Sequence, residues 1–546
     1  MSFSKVYVLG DSLSDTGTFT LTTFGLSLDP ALAIPSPLLG YDGRFSNGPV
    51  AVEVAASLFD APIAEDRVGL AAEARDGVQI ADLAATELDI TRPESSFAYG
   101  SARSTGSRTL GEIAIEAGLD DALADALGDD PELLAQVQGF DINLGAQVQR
   151  LTATLALEAP PEDALATIFI GLNDFQDFAP SSEAAAPAEA YAMVLDILNA
   201  TDAAARAAAD GGIDTVALFT LPSASAFPPG PGDPPDPDDL ALADLAIDVH
   251  ALGLRFVQLG LLLDGIDARV VDLGAMVDLV DADPGAFGFE TLDVVTVEGT
   301  GSDGAFNPAA AAFEPDELGF YDFIHFSGAL HGVLGAFTAR TLTSRTAFGS
   351  EAGDTAGFGD GGALAFGAAG ADLLFGGSGE DAFFGGADRD FLFGSGGDDL
   401  LAGQGDADAL YGGSGDDALI GGEGEDLLRG GDGDDLLLVI AGREIAEAGD
   451  GDDVMAIDLA GSVAEARLFG ALGEDVLVVL NADAAFGGDL EAALAAQNIE
   501  HSGFESVVGG FDDALDAEDA RWGRLEEIEL WGLYDLPPEA EPPLLG

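Results

Sequence analysis

The chain has no cysteine, which excludes a disulfide framework and any thiolate metal site. Positive charge is nearly as scarce. Only 19 residues are Lys or Arg, with Lys5 the single lysine, against 99 Asp and Glu, so the formal net charge is −80. A field of that sign repels nucleic acid and anionic membranes at long range, so DNA and RNA are excluded as partners and salt or cations are favoured around the chain. Long hydrophobic runs are missing too. The most apolar helical stretch, 257–263, lies between Arg255 and Asp264 and is far too short to cross a bilayer, so no transmembrane segment is expected. Near the start, Asp11 interrupts the apolar run and no basic stretch precedes it, so no conventional secretory signal is expected.

A core is not lacking. Hydrophobic residues make up 47% of the 546 positions and 33 are phenylalanine, which argues against disorder for most of the chain and allows two to four domains. Lys5 to Leu9 alternates β-branched and aromatic residues, reads as a buried strand, and stops at Gly10-Asp11-Ser12. In an open α/β sheet, ligands gather beyond the carboxyl ends of the strands, so Ser12 is a candidate nucleophile there. A helix N-cap is an equally good reading of Ser12 from this segment alone.

Further along, a helix is expected to about Phe59, another over 144–157, a buried strand over 166–172 ending in Asn173-Asp174, and a helix over 185–209. A strand over 215–221, a helix over 238–263, a strand over 268–273 and a last helix carrying His331 follow. Strand alternating with helix predicts a parallel sheet covered on both faces. Ester chemistry in such a fold needs a nucleophile, a base, a group that orients the base, and donors for the oxyanion. Four histidines are present. His250 lies inside a helix, His501 lies far downstream, and His331 reads as a packed or surface helix residue. His325 follows Asp322 by three residues, a spacing that lets one turn present both side chains, so Ser12, Asp322 and His325 are the catalytic candidates.

Gly10-Asp11-Ser12-Leu13-Ser14-Asp15, Gly43-Arg44-Phe45-Ser46-Asn47-Gly48, Phe97-Ala98-Tyr99-Gly100-Ser101-Ala102, Gly171-Leu172-Asn173-Asp174 and Asp322-Phe323-Ile324-His325 occur in the order and approximate spacing of the GDSL, or SGNH, hydrolases. The chain resembles that family over residues 1–346, in the style of bacterial lipases, phospholipases and lipid acyltransferases. The resemblance implies a three-layer α/β/α flavodoxin-like domain and an ester or lipid substrate. It also implies an oxyanion hole made by the amide of Ser12, an amide at the Gly100-Ser101 turn and the side chain of Asn173. The family usually has glycine where this chain has Ser101, which leaves the geometry of that donor in doubt. No cofactor for catalysis is implied.

From about residue 347 the chain turns to glycine and aspartate in a nine-residue register. Units begin at Gly367, Gly376, Gly385, Gly394, Gly403, Gly412, Gly421 and Gly430. Their sixth residues are Asp372, Asp381, Asp390, Asp399, Asp408, Asp417, Asp426 and Asp435, and their eighth residues are apolar. The unit 439–447 breaks the pattern, and the next resumes it with Asp453 sixth and Met455 eighth.

These units resemble the calcium-binding RTX repeat, which forms a parallel β-roll, expected over 347–456. Two units would make one coil, stacking aspartates eighteen residues apart at roughly 4.8 Å. Each neighbouring pair would then repel by about 1 kcal/mol even in water. Calcium, as a hard cation with oxygen ligands, offsets that cost, so those nine aspartates are the metal candidates and the metal is structural. The resemblance further implies a secreted, extracellular protein, exported by a type I secretion apparatus through a signal in the acidic region 457–546. Two rival readings are a calcium-binding surface or adhesion protein with a vestigial hydrolase domain, and a carbohydrate deacetylase.

Overall fold

A computed structural model describes residues 3–11, 13, 50–59, 61, 98, 102–109, 112, 115, 138–139, 141–176, 178–182, 184–228, 236–282, 284–298, 305–313, 317–350, 352–460, 463, 465–482, 489–515, 519, 521–531 and 533–534. The chain divides into two compact units, one of residues 1–285 with 289–342 and one of 286–288 with 343–546.

In the first unit, β1 (Lys5–Gly10), β2 (Ala164–Phe169), β3 (Thr215–Phe219) and β4 (Asp267–Val271) form a parallel sheet in the order β1-β2-β3-β4. The described helices of this unit are α1 (Ala51–Leu58), α2 (Leu144–Leu157), α3 (Leu172–Gln176), α4 (Ala186–Asp210), α5 (Pro237–Leu263), α6 (Leu273–Ala282) and α7 (Gly328–Thr343). Alternate side chains of a strand point to opposite faces, and the sheet uses both. Tyr7, Leu9, Ala166, Ile168, Val216, Leu218 and Val270 share one core with Leu151 of α2, Val194 of α4 and Leu254 of α5. Thr167, Phe169 and Phe219 face instead a pocket lined by Ala51 and Val52 of α1, Leu273 of α6 and Leu334 of α7. The unit is therefore the three-layer α/β/α arrangement that the alternation of strands and helices predicts.

The strand expected to run to residue 273 ends at Val271. Asp272 stops it by accepting the Thr220 hydroxyl at 2.9 Å on Oδ1, while its carbonyl accepts the Met276 N–H and so opens α6. Beyond the main sheet, β5 (Thr291–Val295) pairs in parallel with β6 (Leu318–Phe320), which leads into the turn before α7. Among the described residues no helix is long and apolar enough to cross a membrane.

Among the described residues of the second unit, nine parallel strands from Arg345–Phe348 to Ser506–Val508 form one sheet, and eight from Thr355–Gly357 to Glu500–Ser502 form the other. Residues eighteen apart are strand neighbours, as in Leu401 with Leu419 and Leu410 with Leu428. Each coil thus gives one strand to each sheet, the β-roll the repeat predicts. The eighth-position residues, from Leu374 through Phe383 to Leu437, fill the space between the sheets with at most 3% exposure.

The roll is longer than 347–456. Arg467–Phe469 and Val476–Leu480 add strands after the nine-residue spacing has lapsed, with Val454 opposite Val476, twenty-two residues away. Insertions lengthen these coils at their turns, while buried Leu468, Leu477 and Val479 keep the same inward apolar contacts. The unit 439–447 also stays in the roll: Ala446, at its eighth position, pairs with Leu428 and is fully buried.

Candidate active site

β1 stops at Gly10, whose φ of 154° is a conformation that residues with a Cβ rarely adopt. Gln147 of α2 holds this residue from both sides. Its Oε1 accepts the Gly10 N–H at 2.8 Å, and its Nε2 donates to Gly10 O at 2.8 Å and to Ile142 O at 2.9 Å. Gln147 is fully buried, so its amide acts as a substitute strand neighbour for backbone groups that would otherwise lack a partner.

Asp11 follows, also fully buried. Its N–H donates to Phe169 O at 3.1 Å and its Oδ1 accepts the Leu13 N–H at 3.2 Å. Burial pushes its carboxyl up to about 7, and the Asp174 charge adds to this; the Leu13 amide, His325 and the Leu172 amide pull the other way. The end of β1, the start of α3 and the turn before α7 thus converge. Ser12, between Asp11 and Leu13, lies outside the described residues, as do Gly100 and Ser101.

The segment after those two is described, and α3 ties it down. Asn173 Nδ2 donates to Ala102 O at 3.0 Å, while Asp174 accepts both the N–H and the hydroxyl of Ser104 at 2.9 Å. Asn143 accepts the Arg103 N–H at 3.0 Å and donates to Thr105 O at 3.0 Å. A primary amide has two N–H groups, so the Ala102 bond fixes the orientation of Asn173 with one of them.

Asp322 and His325 lie in one tight turn between β6 and α7. The N–H groups of Tyr321 and Asp322 donate to His325 O at 2.8 and 3.3 Å, while those of Ile324 and His325 donate to Asp322 Oδ1, both at 2.9 Å. His325 Nδ1 stands 2.9 and 2.8 Å from the two oxygens of Asp322, and the residues are only 5% and 1% exposed. A buried carboxylate fixed by backbone N–H groups and aimed at Nδ1 sets the imidazole tautomer with Nε2 as the proton-accepting nitrogen, and it stabilises an imidazolium.

The other three histidines are placed differently. His331, buried in α7, accepts the Ala51 N–H on Nδ1 at 3.0 Å and meets the Phe326 ring edge-on. His250 is buried in α5 with neither ring nitrogen hydrogen-bonded, and burial pushes it down to about 4. His501 pairs with Glu491 at 3.0 Å.

Gln147 is a positioning group outside every motif, and Asp174, inside one, anchors Ser104. Gln147 had a signal in the sequence: it falls on the apolar stripe Leu144, Leu151, Leu155, where a polar residue needs a buried partner.

In the roll, sixth-position aspartates are buried and do more than stack. The N–H of Asp372 donates to Asp390 Oδ1, that of Asp390 to Asp408, and that of Asp408 to Asp426, each at 2.8 Å. A second column runs the same way from Asp381 through Asp399, Asp417 and Asp435 to Asp453, and continues to Asp475. One oxygen of each carboxylate thus binds the preceding coil. The Oδ2 atoms of Asp372, Asp390, Asp399, Asp408, Asp417, Asp426, Asp435 and Asp453 are buried without a partner, whereas Asp381 Oδ2 accepts the Gly377 N–H at 3.0 Å.

Burial is the main cost, ahead of the repulsion expected between neighbours. It pushes Asp390, Asp417 and Asp453 up to about 7, Asp399 and Asp408 to about 8, and Asp435 to about 9. Hard, anionic oxygens left unpaired in ordered columns suit calcium, which takes oxygen ligands in flexible geometry. Among the described residues no three such side chains cluster, so carboxylates and backbone carbonyls would have to share the ion. The bound ion would supply the positive charge that the columns lack.

A family model described as GDSL-like lipase/acylhydrolase matches residues 6–335. One described as RTX calcium-binding nonapeptide repeat matches four stretches, 358–392, 366–401, 384–419 and 411–438. Among curated proteins no match was found.

Proposed function

Since the chain belongs to the GDSL-like lipase/acylhydrolase family and carries RTX calcium-binding repeats, we propose that it is a secreted serine hydrolase that cleaves carboxylic esters, those of lipids included, through an acyl-enzyme. Residues 1–346 would carry the hydrolase and the roll would bind calcium. Export would use a type I apparatus reading a signal in the region from 457 onward. The observation that carries the catalytic reading is the buried Asp322–His325 pair, whose single turn fixes both partners.

In this reading His325 Nε2 takes the Ser12 hydroxyl proton as Oγ attacks the ester carbonyl, and Asp322 stabilises the imidazolium. The tetrahedral oxyanion is met by the Ser12 amide, an amide at Gly100-Ser101 and Asn173 Nδ2. Collapse breaks the ester C–O bond, and His325 returns the proton to the leaving alkoxide. Water then attacks the acyl-Ser12 ester by the same steps, with His325 as base and then acid, releasing the carboxylic acid.

The test is a substrate panel: short- and long-chain p-nitrophenyl esters, a phospholipid and an acetylated sugar. Turnover of carboxylic esters that vanishes in Ser12→Ala is the expected result. Equal turnover by Ser12→Ala would leave only a calcium-binding surface protein, and activity on the acetylated sugar alone would favour a deacetylase.

Two further outcomes follow from the geometry. Asn173→Ala should lower kcat about a hundredfold or more, as loss of one oxyanion donor does, with KM and melting temperature little changed; an unchanged kcat would remove Asn173 from the hole. Gln147→Met keeps the volume but leaves Gly10 N–H and C=O unpaired, each worth about 1–3 kcal/mol. The variant should lose both stability and kcat, and a melting temperature and rate equal to the parent's would show that Gly10 does not need the clamp.

A further inference from the structure

Leu13 follows Ser12, and Phe326 follows His325. Both line the pocket that α1, α6 and α7 share with the sheet, so it borders the two segments that carry the proposed nucleophile and base. Phe169 and Phe219, the last residues of β2 and β3, form its sheet side with their rings 5.7 Å apart. These two, with Ala51 and Val52 of α1, keep 5–7% exposure, whereas Leu334 and Phe326 have none. The pocket therefore opens at the carboxyl ends of the strands, where ligands of an α/β domain gather, and closes between the layers.

Its walls are fixed and its depth is small. The Phe326 ring packs edge-on against Phe320 at 5.3 Å and His331 at 5.4 Å, and stacks with Phe227 at 6.2 Å. His331, which also lines the pocket, accepts the Ala51 N–H on Nδ1 at 3.0 Å and so ties the α7 wall to the first residue of α1. At Gly335, next to Leu334, the two helices approach so closely that a Cβ would lie 2.4 Å from Val54 Cβ and 2.8 Å from Ala51 O. The space cannot continue between α1 and α7. Apart from Thr167 and His331 the lining is apolar, and it leaves room for little more than a water-sized group.

We propose that this pocket receives the acyl group of the ester and restricts it to about two to four carbons, with Leu334 as the residue that limits its length. A charged or polar acyl group would be stripped of water there without gaining a partner. A longer apolar chain meets Leu334 and the close contact at Gly335. The alcohol leaves on the other side of the scissile bond and is not selected by these walls. The substrate class is thus esters of short, unbranched, uncharged carboxylic acids.

This inference rests on the serine-hydrolase reading, and the two can fail separately. kcat/KM is measured on the full-length chain in calcium for p-nitrophenyl acetate, butyrate, hexanoate and octanoate, with the parent, Leu334→Ala and Ala51→Val. The parent should be fastest on acetate or butyrate and lose about tenfold or more by octanoate. Leu334→Ala deepens the pocket and should raise the hexanoate-to-acetate ratio about tenfold, while Ala51→Val narrows it and should lower the butyrate-to-acetate ratio. Loss of folded protein lowers all the rates together and moves neither ratio. A parent that prefers octanoate, or a folded variant whose ratio equals the parent's, overturns the pocket while leaving the hydrolase intact. If Leu334→Ala does not fold, the parent's chain-length order and Ala51→Val decide. If no ester is turned over, or Ser12→Ala matches the parent, the hydrolase reading falls first and the pocket with it.

Discussion

His325→Ala should lower kcat for ester hydrolysis by about 10⁴-fold or more while leaving the melting temperature nearly unchanged. The four backbone bonds among Tyr321, Asp322, Ile324 and His325 involve main-chain groups and the Asp322 carboxylate, so they survive the substitution. Asp322→Asn is the sharper variant. Its Oδ1 can still accept the Ile324 and His325 N–H groups, so the turn persists, but an amide N–H now faces Nδ1 and favours the tautomer protonated on Nε2, which cannot accept a proton from Ser12. A comparable loss of kcat with an intact turn is expected. Combining it with Ser12→Ala should cost little more than either alone, because residues that act as one unit are not additive. Additive losses, or full activity in Asp322→Asn, would sink the triad.

Removing calcium should unfold the roll, read as loss of the β signal in far-UV circular dichroism on adding chelator and its return in millimolar calcium. The columns of buried carboxylates with unpaired Oδ2 atoms are the reason. Acidity provides an independent check. The folded roll holds Asp399 and Asp408 up near 8 and Asp435 near 9, against an ordinary value of 3.8. Folded pKa values above the unfolded ones mean that the folded state binds more protons between about pH 4 and those values, so stability falls as pH rises through that window. Without calcium the roll should therefore be more stable at pH 5 than at pH 8. With calcium the order should reverse, because the ion binds deprotonated carboxylates and competes with protons. A roll equally stable at both pH values in chelator would show that the carboxylates are not buried as charges.

Local patterns are readable without the fold because their causes are local. The apolar eighth position recurs every nine residues because each coil must fill the same inner space, and Leu401, Leu410 and Leu419 are buried in turn. Asp322 and His325 can be paired on paper because a three-residue spacing needs only a turn to bring them together. Alternation of strand and helix is enough for a covered parallel sheet, since each strand buried on both faces needs a helical crossover to the next. End points are less legible: β4 stops at Val271 because Asp272 finds Thr220, a partner fifty-two residues away.

What composition and spacing determined by themselves was the division into an α/β domain and a repetitive acidic roll, because both follow from periodicity and from side-chain chemistry that the chain carries wherever it goes. Only the tertiary structure decided that Gln147 clamps Gly10 across 137 positions, that each aspartate binds the backbone of the coil before it, and that the roll continues past residue 456. Those contacts depend on which strands become neighbours and in what register. A hydrogen bond between distant residues leaves little trace in the order of the amino acids until the backbone brings donor and acceptor within 3 Å.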